Sequence, residues 1–200
     1  MWLCLPAAAA EPDAAALVAG LRQAAPARTA YTEVRFSSLL DRPLVLRGEL
    51  TYPGPGRLGK RVDTPYREDT TIADGEVTVV RGARKPRHFS LSQAPELEGF
   101  LHGFLALLGG DANALAAKFT IAASGDATRW QLTLIPRDAR LRRPVATIEV
   151  DGSGSHARCF VTREAGDDAN VLLVGDLAAA KLLKPLTPAS LATLCRGGDG

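Results

Sequence analysis

Two short segments of the 200-residue chain contain residue types that enzymes use, at spacings that can be tested against known chemistry. Gly54–Gly59 has the G-x-G-x-x-G spacing of a dinucleotide-binding turn, but the residues that follow are extended up to Pro65 and open no helix. Gly152–His156 places Ser155 beside a histidine, yet it lies between two alternating runs and lacks the strand-to-helix elbow of a hydrolase nucleophile. We therefore predict turns at both places, not active sites.

The other nucleophilic and metal-binding side chains are scattered. His88, His102 and His156 have no partner one helical turn away and no neighbouring cysteine, so no metal site is predicted. Cys159 and Cys195 lie at no metal-ligand spacing, and they are either a disulfide or two buried thiols. The carboxylates form no acid–base pair. We therefore expect a protein that is not an enzyme and has no cofactor.

The composition is that of an ordinary globular domain, with 46% hydrophobic and 23% charged residues. A net charge of +2 is too small for a nucleic-acid footprint. Two basic clusters, at 81–87 and 137–143, lie in or beside turns without interleaved aromatic residues, which makes them poor single-strand binding platforms. They are either solvated loops or a patch for anionic head groups. No nucleic-acid partner is predicted.

The N-terminal residues 1–10 form an apolar run that ends in small residues before Glu11. This pattern is typical of the end of a secretory signal peptide, and an unstructured apolar tail is the alternative. We predict that 1–10 is the remnant of a signal peptide and that 11–200 forms a single domain. No apolar run reaches the roughly eighteen residues of a membrane-spanning helix.

From Val34 onward, most of the chain alternates apolar and polar residues with the period of two that half-buried strands show. Such runs occur at 44–52, 58–63, 68–73, 77–81, 88–92, 119–123, 130–135, 145–151, 157–162 and 170–174. Short turns such as Asp74-Gly75 join the first five, and none of their gaps could hold a crossover helix. The pattern predicts a mainly β protein with helices, an α+β fold whose roughly ten antiparallel strands form a curled meander.

Helical periodicity is confined to a few segments. Residues 13–25 form one candidate helix, 111–117 a short one, and 177–183 with 187–195 a closing pair of helices or turns. The strongest signal is at 95–110, where apolar residues spaced by three and four make an amphipathic helix that ends at glycine. This helix covers the concave side of the sheet, where it either completes a plain core or closes a lidded pocket. Periodicity alone leaves both open.

Local strings carry a more specific signal. They are Gly48–Leu50, Pro55–Lys60, Thr64–Glu68 and Ile72–Gly75, followed by Leu132–Arg137 with Ile148 and Val150. Together with the order of elements from Leu17 to Leu177, these strings resemble the LolA-like family of periplasmic lipoprotein and lipid carriers. Gly54 stands where lipoprotein carriers usually have an arginine before the turn proline, so the chain resembles a divergent branch.

The resemblance implies an unclosed antiparallel β-barrel whose concave apolar face is covered by a helical lid. It implies a monomeric periplasmic carrier that binds acyl chains. The cargo would be a lipoprotein, a lipid or a lipid-like molecule such as a polyketide pigment. The carrier would receive it from an inner-membrane donor and deliver it to an outer-membrane acceptor. The alternative is an interaction or assembly module of the cell envelope with the same fold. A LolB-like receptor fits less well, because it needs a lipidated cysteine and Trp2-Leu3 before Cys4 is a poor lipidation signal.

The candidate binding residues are the apolar members of each alternation and of the lid helix. The predicted cavity wall comprises Leu46, Leu50, Ile72, Val79, Phe89, Leu91, Leu132, Leu134, Ile148 and Phe160. The lid contributes Phe100, Phe104 and Leu108. In an oxidising compartment, Cys159 and Cys195 are expected to pair.

Overall fold

The computed structural model describes residues 12–93, 95–164, 166 and 168–198, without the side chains of 95–97, 99 and 100. The predicted signal remnant at 1–10, with Cys4, lies outside the described residues. Within the described part, the α-helices are α1 (Ala14–Gly20), α2 (Pro95–Gly109), α3 (Ala112–Lys118) and α4 (Pro188–Cys195). The strands are β1 (Ala27–Phe36), β2 (Leu44–Gly54), β3 (Arg57–Thr64), β4 (Glu68–Ala73), β5 (Glu76–Arg81), β6 (Arg87–Ser90), β7 (Phe119–Gly125), β8 (Trp130–Pro136), β9 (Thr147–Ser153), β10 (His156–Arg163) and β11 (Ala169–Val174).

These eleven strands form one sheet in the order β6-β5-β4-β3-β2-β1-β11-β10-β9-β8-β7. Every neighbouring pair is antiparallel. β6 and β7 form the two edges of the sheet, so the barrel is unclosed. The fold class predicted from the sequence, an unclosed antiparallel barrel with helices, is confirmed.

The central strand β1 begins at Ala27, well before the alternation that starts at Val34. Four consecutive residues, Tyr31 to Val34, are buried. Tyr31 belongs to the core of the concave face, whereas Val34 belongs to the core of the convex face. A strand that is covered on both faces shows no simple alternation of polar and apolar residues, which explains why periodicity detects only its end.

The concave face of the sheet is covered by α1, α2 and α3. Val18 of α1, Leu107 of α2 and Leu115 of α3 pack in one hydrophobic core with Leu132 and Val150 of the sheet. All five side chains are buried. The three helices therefore form a second layer on the inside of the curled sheet, as the amphipathic pattern of α2 predicts.

Helix α1 ends at Gly20, before the predicted end at residue 25. Beyond it, the backbone N–H of Gln23 donates to the carbonyl oxygen of Leu108 at 2.8 Å, and Arg22 Nε donates to the carbonyl oxygen of Gly109 at 3.1 Å. Carbonyl groups at the end of a helix have no partner within it. The chain after Gly20 thus leaves the helix and satisfies the end of α2 instead.

The convex face carries the C-terminal segment, which consists of a 3-10 turn at Gly175–Ala179 followed by α4. Leu191 of α4 packs there against Val34 of the central strand. Cys159 of β10 and Cys195 at the end of α4 form a disulfide, with their Cα atoms 5.6 Å apart. Helix α4 is therefore attached covalently to the back of the sheet.

Candidate binding cavity

A cavity of about 780 Å³ lies between the concave face of the sheet and α2. Ligand pockets usually measure roughly 300–1,000 Å³, so this one is large enough for a small molecule or an acyl chain. Its lining is predominantly apolar. The sheet contributes Leu50, Ile72, Leu134, Ile148, Phe160 and Leu172. Helix α2 contributes Leu101, Phe104, Leu107 and Leu108.

Helix α2 packs at the cavity on two aromatic side chains of the sheet. At Gly103, an added Cβ atom would lie 2.1 Å from Cε2 of Phe119, a ring in the buried core, so only glycine permits this approach. One residue further on, the ring of Phe104 meets the ring of Phe160 edge-on, with centroids 5.5 Å apart and an interplanar angle of 61°. Gly103 is therefore a point of close packing between the helix and β7.

A charged cluster interrupts the apolar lining on the central strands. The carboxylate of Glu33 on β1 has 1% of its side-chain surface exposed. It accepts hydrogen bonds from Arg35 Nε at 2.7 Å, from Asn170 Nδ2 at 2.7 Å, and from Lys60 Nζ. The ammonium group of Lys60 also lies 5.2 Å from the centre of the Tyr31 ring. We call Glu33, Arg35, Lys60 and Asn170 the polar cluster; all but Arg35 line the cavity.

The polar cluster fixes the charge state of its members. Burial by itself would raise the pKa of Glu33, but the positive charge of Lys60 and the hydrogen bond and charge of Arg35 outweigh it and hold that pKa below its ordinary 4.5. Burial, together with the nearby Glu33 carboxylate, raises the pKa of Tyr31 far above its ordinary 10.0. At neutral pH, Glu33 is therefore ionised and Tyr31 is uncharged.

One end of the cavity is lined by polar side chains from the strand ends. Thr29 lies near the start of β1, His156 and Arg158 lie at the start of β10, and Asp176 follows β11. The cavity therefore has polar side chains at this end of the strands in addition to the polar cluster.

Seven of the predicted site residues line the cavity. They are Leu50, Ile72, Phe104, Leu108, Leu134, Ile148 and Phe160. Their role in binding stays a prediction, but the structure brings them together around one space. Alternation correctly identifies the concave face for all five strand positions among them.

Five other predicted wall residues lie on the same face without lining the cavity. Leu46 and Leu132 are fully buried in the main core of the concave face. Val79, Phe89 and Leu91 pack in a separate cluster with Leu101 of α2. Both clusters also contain helix residues, so these five side chains are taken up by core packing and do not border the cavity. The side chain of Phe100 is outside the described residues.

Alternation does not identify the polar cluster. Its members come from β1, β3 and β11, and no local motif joins them. One signal was present: Lys60 occupies the position between Leu58 and Val62 on β3, which places a charged residue in an inward row. A charged side chain at an apolar position of an alternation indicates a buried partner.

Among the residues that the structure describes, no three His, Cys, Asp or Glu side chains group into a metal site. No helix in that part of the chain is long and apolar enough to cross a membrane.

An unclosed antiparallel sheet with an apolar cavity under a helix defines a class of half-barrel proteins. Within this class, the chain belongs to the family described as "Outer membrane lipoprotein carrier protein LolA-like", whose model matches residues 6–198. The family resemblance read from the sequence is therefore confirmed.

The chain is also similar to two solved structures. One is the LolA superfamily protein NE2245 from Nitrosomonas europaea, with 10% identity, a TM-score of 0.45, and coverage of 88% of this chain and 96% of that chain. The other is LprF from Mycobacterium bovis, with 11% identity, a TM-score of 0.37, and coverage of 88% and 94%. No curated protein matches the chain significantly.

Proposed function

We propose that this protein is a carrier that sequesters the acyl chains of a lipoprotein, a lipid or a lipid-like molecule for transfer towards the outer membrane. The observation that carries the proposal is the apolar cavity of about 780 Å³ beneath α2. Membership of the LolA-like family supports it. We expect the protein to act without catalysis and as a monomer.

The contacts of α2 support a lid that competes with cargo. Each buried methylene stabilises a complex by about 0.8 kcal/mol, so a long acyl chain in a rigid pocket would be released very slowly. In this protein, Phe104 rests on Phe160 at the cavity wall, so cargo that binds at this part of the wall would replace that contact. Only the difference between the two sets of contacts then determines the affinity, which permits release to an acceptor.

The periplasm is the compartment that fits this role. The Cys159–Cys195 disulfide supports an oxidising location, because such bonds persist outside the reducing cytosol. The donor would be a protein of the inner membrane and the acceptor a protein of the outer membrane.

The proposal is tested by titrating the protein with an environment-sensitive fluorescent fatty acid. The wild type is expected to show saturable binding that unlabelled fatty acid displaces. Ile72→Glu puts a charge in the cavity wall and should abolish that binding. Ile135→Glu is the matched control. Ile135 follows Leu134 on β8, is 41% exposed and faces away from the cavity.

Absence of saturable binding by the wild type, at every concentration below aggregation, would refute the carrier proposal. It would favour the alternative, an interaction or assembly module of the envelope that uses the same fold.

A further inference from the structure

The polar cluster is an unusual component of an apolar cavity wall. Removing a carboxylate and an ammonium group from water costs more free energy than packing apolar side chains of the same size. Here Glu33 on β1 and Lys60 on β3 occupy inward positions on either side of β2, where apolar residues would pack without that cost. Their presence in the lining therefore calls for a reason beyond stability.

The cluster carries an excess of positive charge. Two cations, Arg35 and Lys60, share the single carboxylate of Glu33. The nearby Asp63 is paired instead with Arg61, at 2.9 Å. Tyr31 beneath Lys60 contributes no negative charge, since its hydroxyl stays protonated. One positive charge is therefore left uncompensated beside the cavity.

Lys60 also has hydrogen-bonding capacity to spare. An ammonium group has three N–H donors, and within the described part of the chain the side chain of Lys60 uses one of them, on Glu33. Its side chain is 29% exposed, and it lines the cavity. Thr70, directly opposite Lys60 on β4, adds a hydroxyl to the same part of the lining. The uncompensated charge therefore comes with free donors that face the cavity.

We propose that the cavity binds an amphipathic anion, with the acyl chain in the apolar part and a carboxylate or phosphate group on Lys60. Glu33 is a positioning residue in this arrangement, because it holds the ammonium group at the wall. The inference rests on the carrier function proposed above and narrows its cargo. A neutral acyl ester would occupy the apolar part but would leave the excess positive charge of the polar cluster without a counter-charge.

The test compares ligands that share one chain and differ in the head group. Dodecanoate, methyl dodecanoate and dodecyl phosphate are used at neutral pH to displace the fluorescent fatty acid. Wild-type protein is expected to bind dodecanoate at least about tenfold more tightly than the methyl ester, since a hydrogen bond to a charged group contributes that much. The dodecyl phosphate arm shows whether the site prefers a phosphate or a carboxylate.

Variants then assign the preference to Lys60. Lys60→Gln keeps a donor for Glu33 and removes the charge, so the ratio of acid to ester affinity should fall to about one. Lys60→Arg should preserve the ratio. Lys181→Gln is the control, because it removes the same charge from an exposed site in the C-terminal segment. Thermal unfolding of each variant shows that it is folded.

The outcomes separate the two proposals. Equal affinity of the wild type for the acid and the ester, with both binding saturably, overturns the anionic cargo and leaves the carrier function intact. A preference for the acid that Lys60→Gln does not reduce overturns the assignment to Lys60. Failure of every ligand to bind overturns the carrier function, and the inference with it.

Discussion

Replacing Gly103 with alanine sets two effects of opposite sign against each other. Helix propensity favours alanine over glycine by about 1 kcal/mol in a helix interior, and position 103 lies within α2. Packing opposes it, because the new Cβ atom would lie 2.1 Å from Cε2 and 2.8 Å from Cζ of Phe119. Carbon atoms pack best at about 3.5–4.0 Å, so either the helix or the ring must move.

The packing effect should win. Phe119 is 1% exposed and packs in the main core of the concave face, so moving its ring breaks core contacts even though the ring also borders the cavity. Overpacking a tight core costs about 1–3 kcal/mol, and a contact this short lies at the upper end of that range. Subtracting the gain in propensity leaves a net loss of about 2 kcal/mol in the free energy of unfolding.

The assay is urea unfolding of the ligand-free protein, followed by circular dichroism. Gly109→Ala is the matched control in the same helix, because a Cβ atom there has no heavy atom within 4 Å. It should leave stability unchanged or raise it by less than about 1 kcal/mol. In a Phe119→Leu background, Gly103→Ala should cost less, since the smaller side chain makes room for the methyl group. If Gly103→Ala is as stable as the wild type, the close packing of α2 on β7 is refuted.

Three further predictions concern the lid, the core and the disulfide. Phe104→Ala should lower the free energy of unfolding by about 2 kcal/mol, through loss of burial and of the edge-on contact with Phe160. The affinity for fatty acid should stay the same or rise. A loss of affinity together with the loss of stability would argue against a lid that competes with cargo. Burial raises the pKa of Asp151 above 3.8, so the wild type loses stability as pH rises from 3.8 through that raised value. Asp151→Asn should abolish this loss when urea midpoints are measured against pH. If the wild type and Asp151→Asn show the same change of midpoint with pH, the prediction is contradicted. Replacing Cys159 and Cys195 together with alanine opens a link that spans 36 residues and should cost about 3–4 kcal/mol in urea unfolding, an effect that reductant should reproduce in the wild type; unchanged stability in either case would disprove it.

The sequence predicts the fold well because most of its strands are covered on one side only. Where one face of a strand is buried and the other is exposed to solvent, as along β8, alternation identifies both the strand and its inward residues. Leu134 is buried there, whereas the next residue, Ile135, is exposed. β1 is covered on both faces, so its first half gives no periodic signal.

The candidate site is predicted less completely, for two physical reasons. Alternation gives the face of a residue but not the distance to the helix above it. It therefore predicts Leu91 and Leu132 at the cavity, whereas both pack in clusters with helix residues. That distance depends on contacts such as Gly103 on Phe119, which join residues without any local pattern. The polar cluster is not predicted from the sequence for the same reason, because only the pairing of three strands brings Glu33 and Lys60 together.

The pairing of β1 with β11 joins the two halves of the sheet, which are far apart along the chain. β1 to β6 follow one another as hairpins, and so do β7 to β11, whereas the seam between the two meanders joins Glu33 to Asn170 across 137 residues of chain. Hairpins close within roughly 1–10 μs, but a contact between residues so far apart in sequence also requires a long loop to close, which costs conformational entropy. The cavity spans this seam, and its lid α2 lies in the connection between the two meanders. We therefore expect the complete binding site to form only after the hairpins of both meanders, so that a partly folded chain offers cargo no cavity.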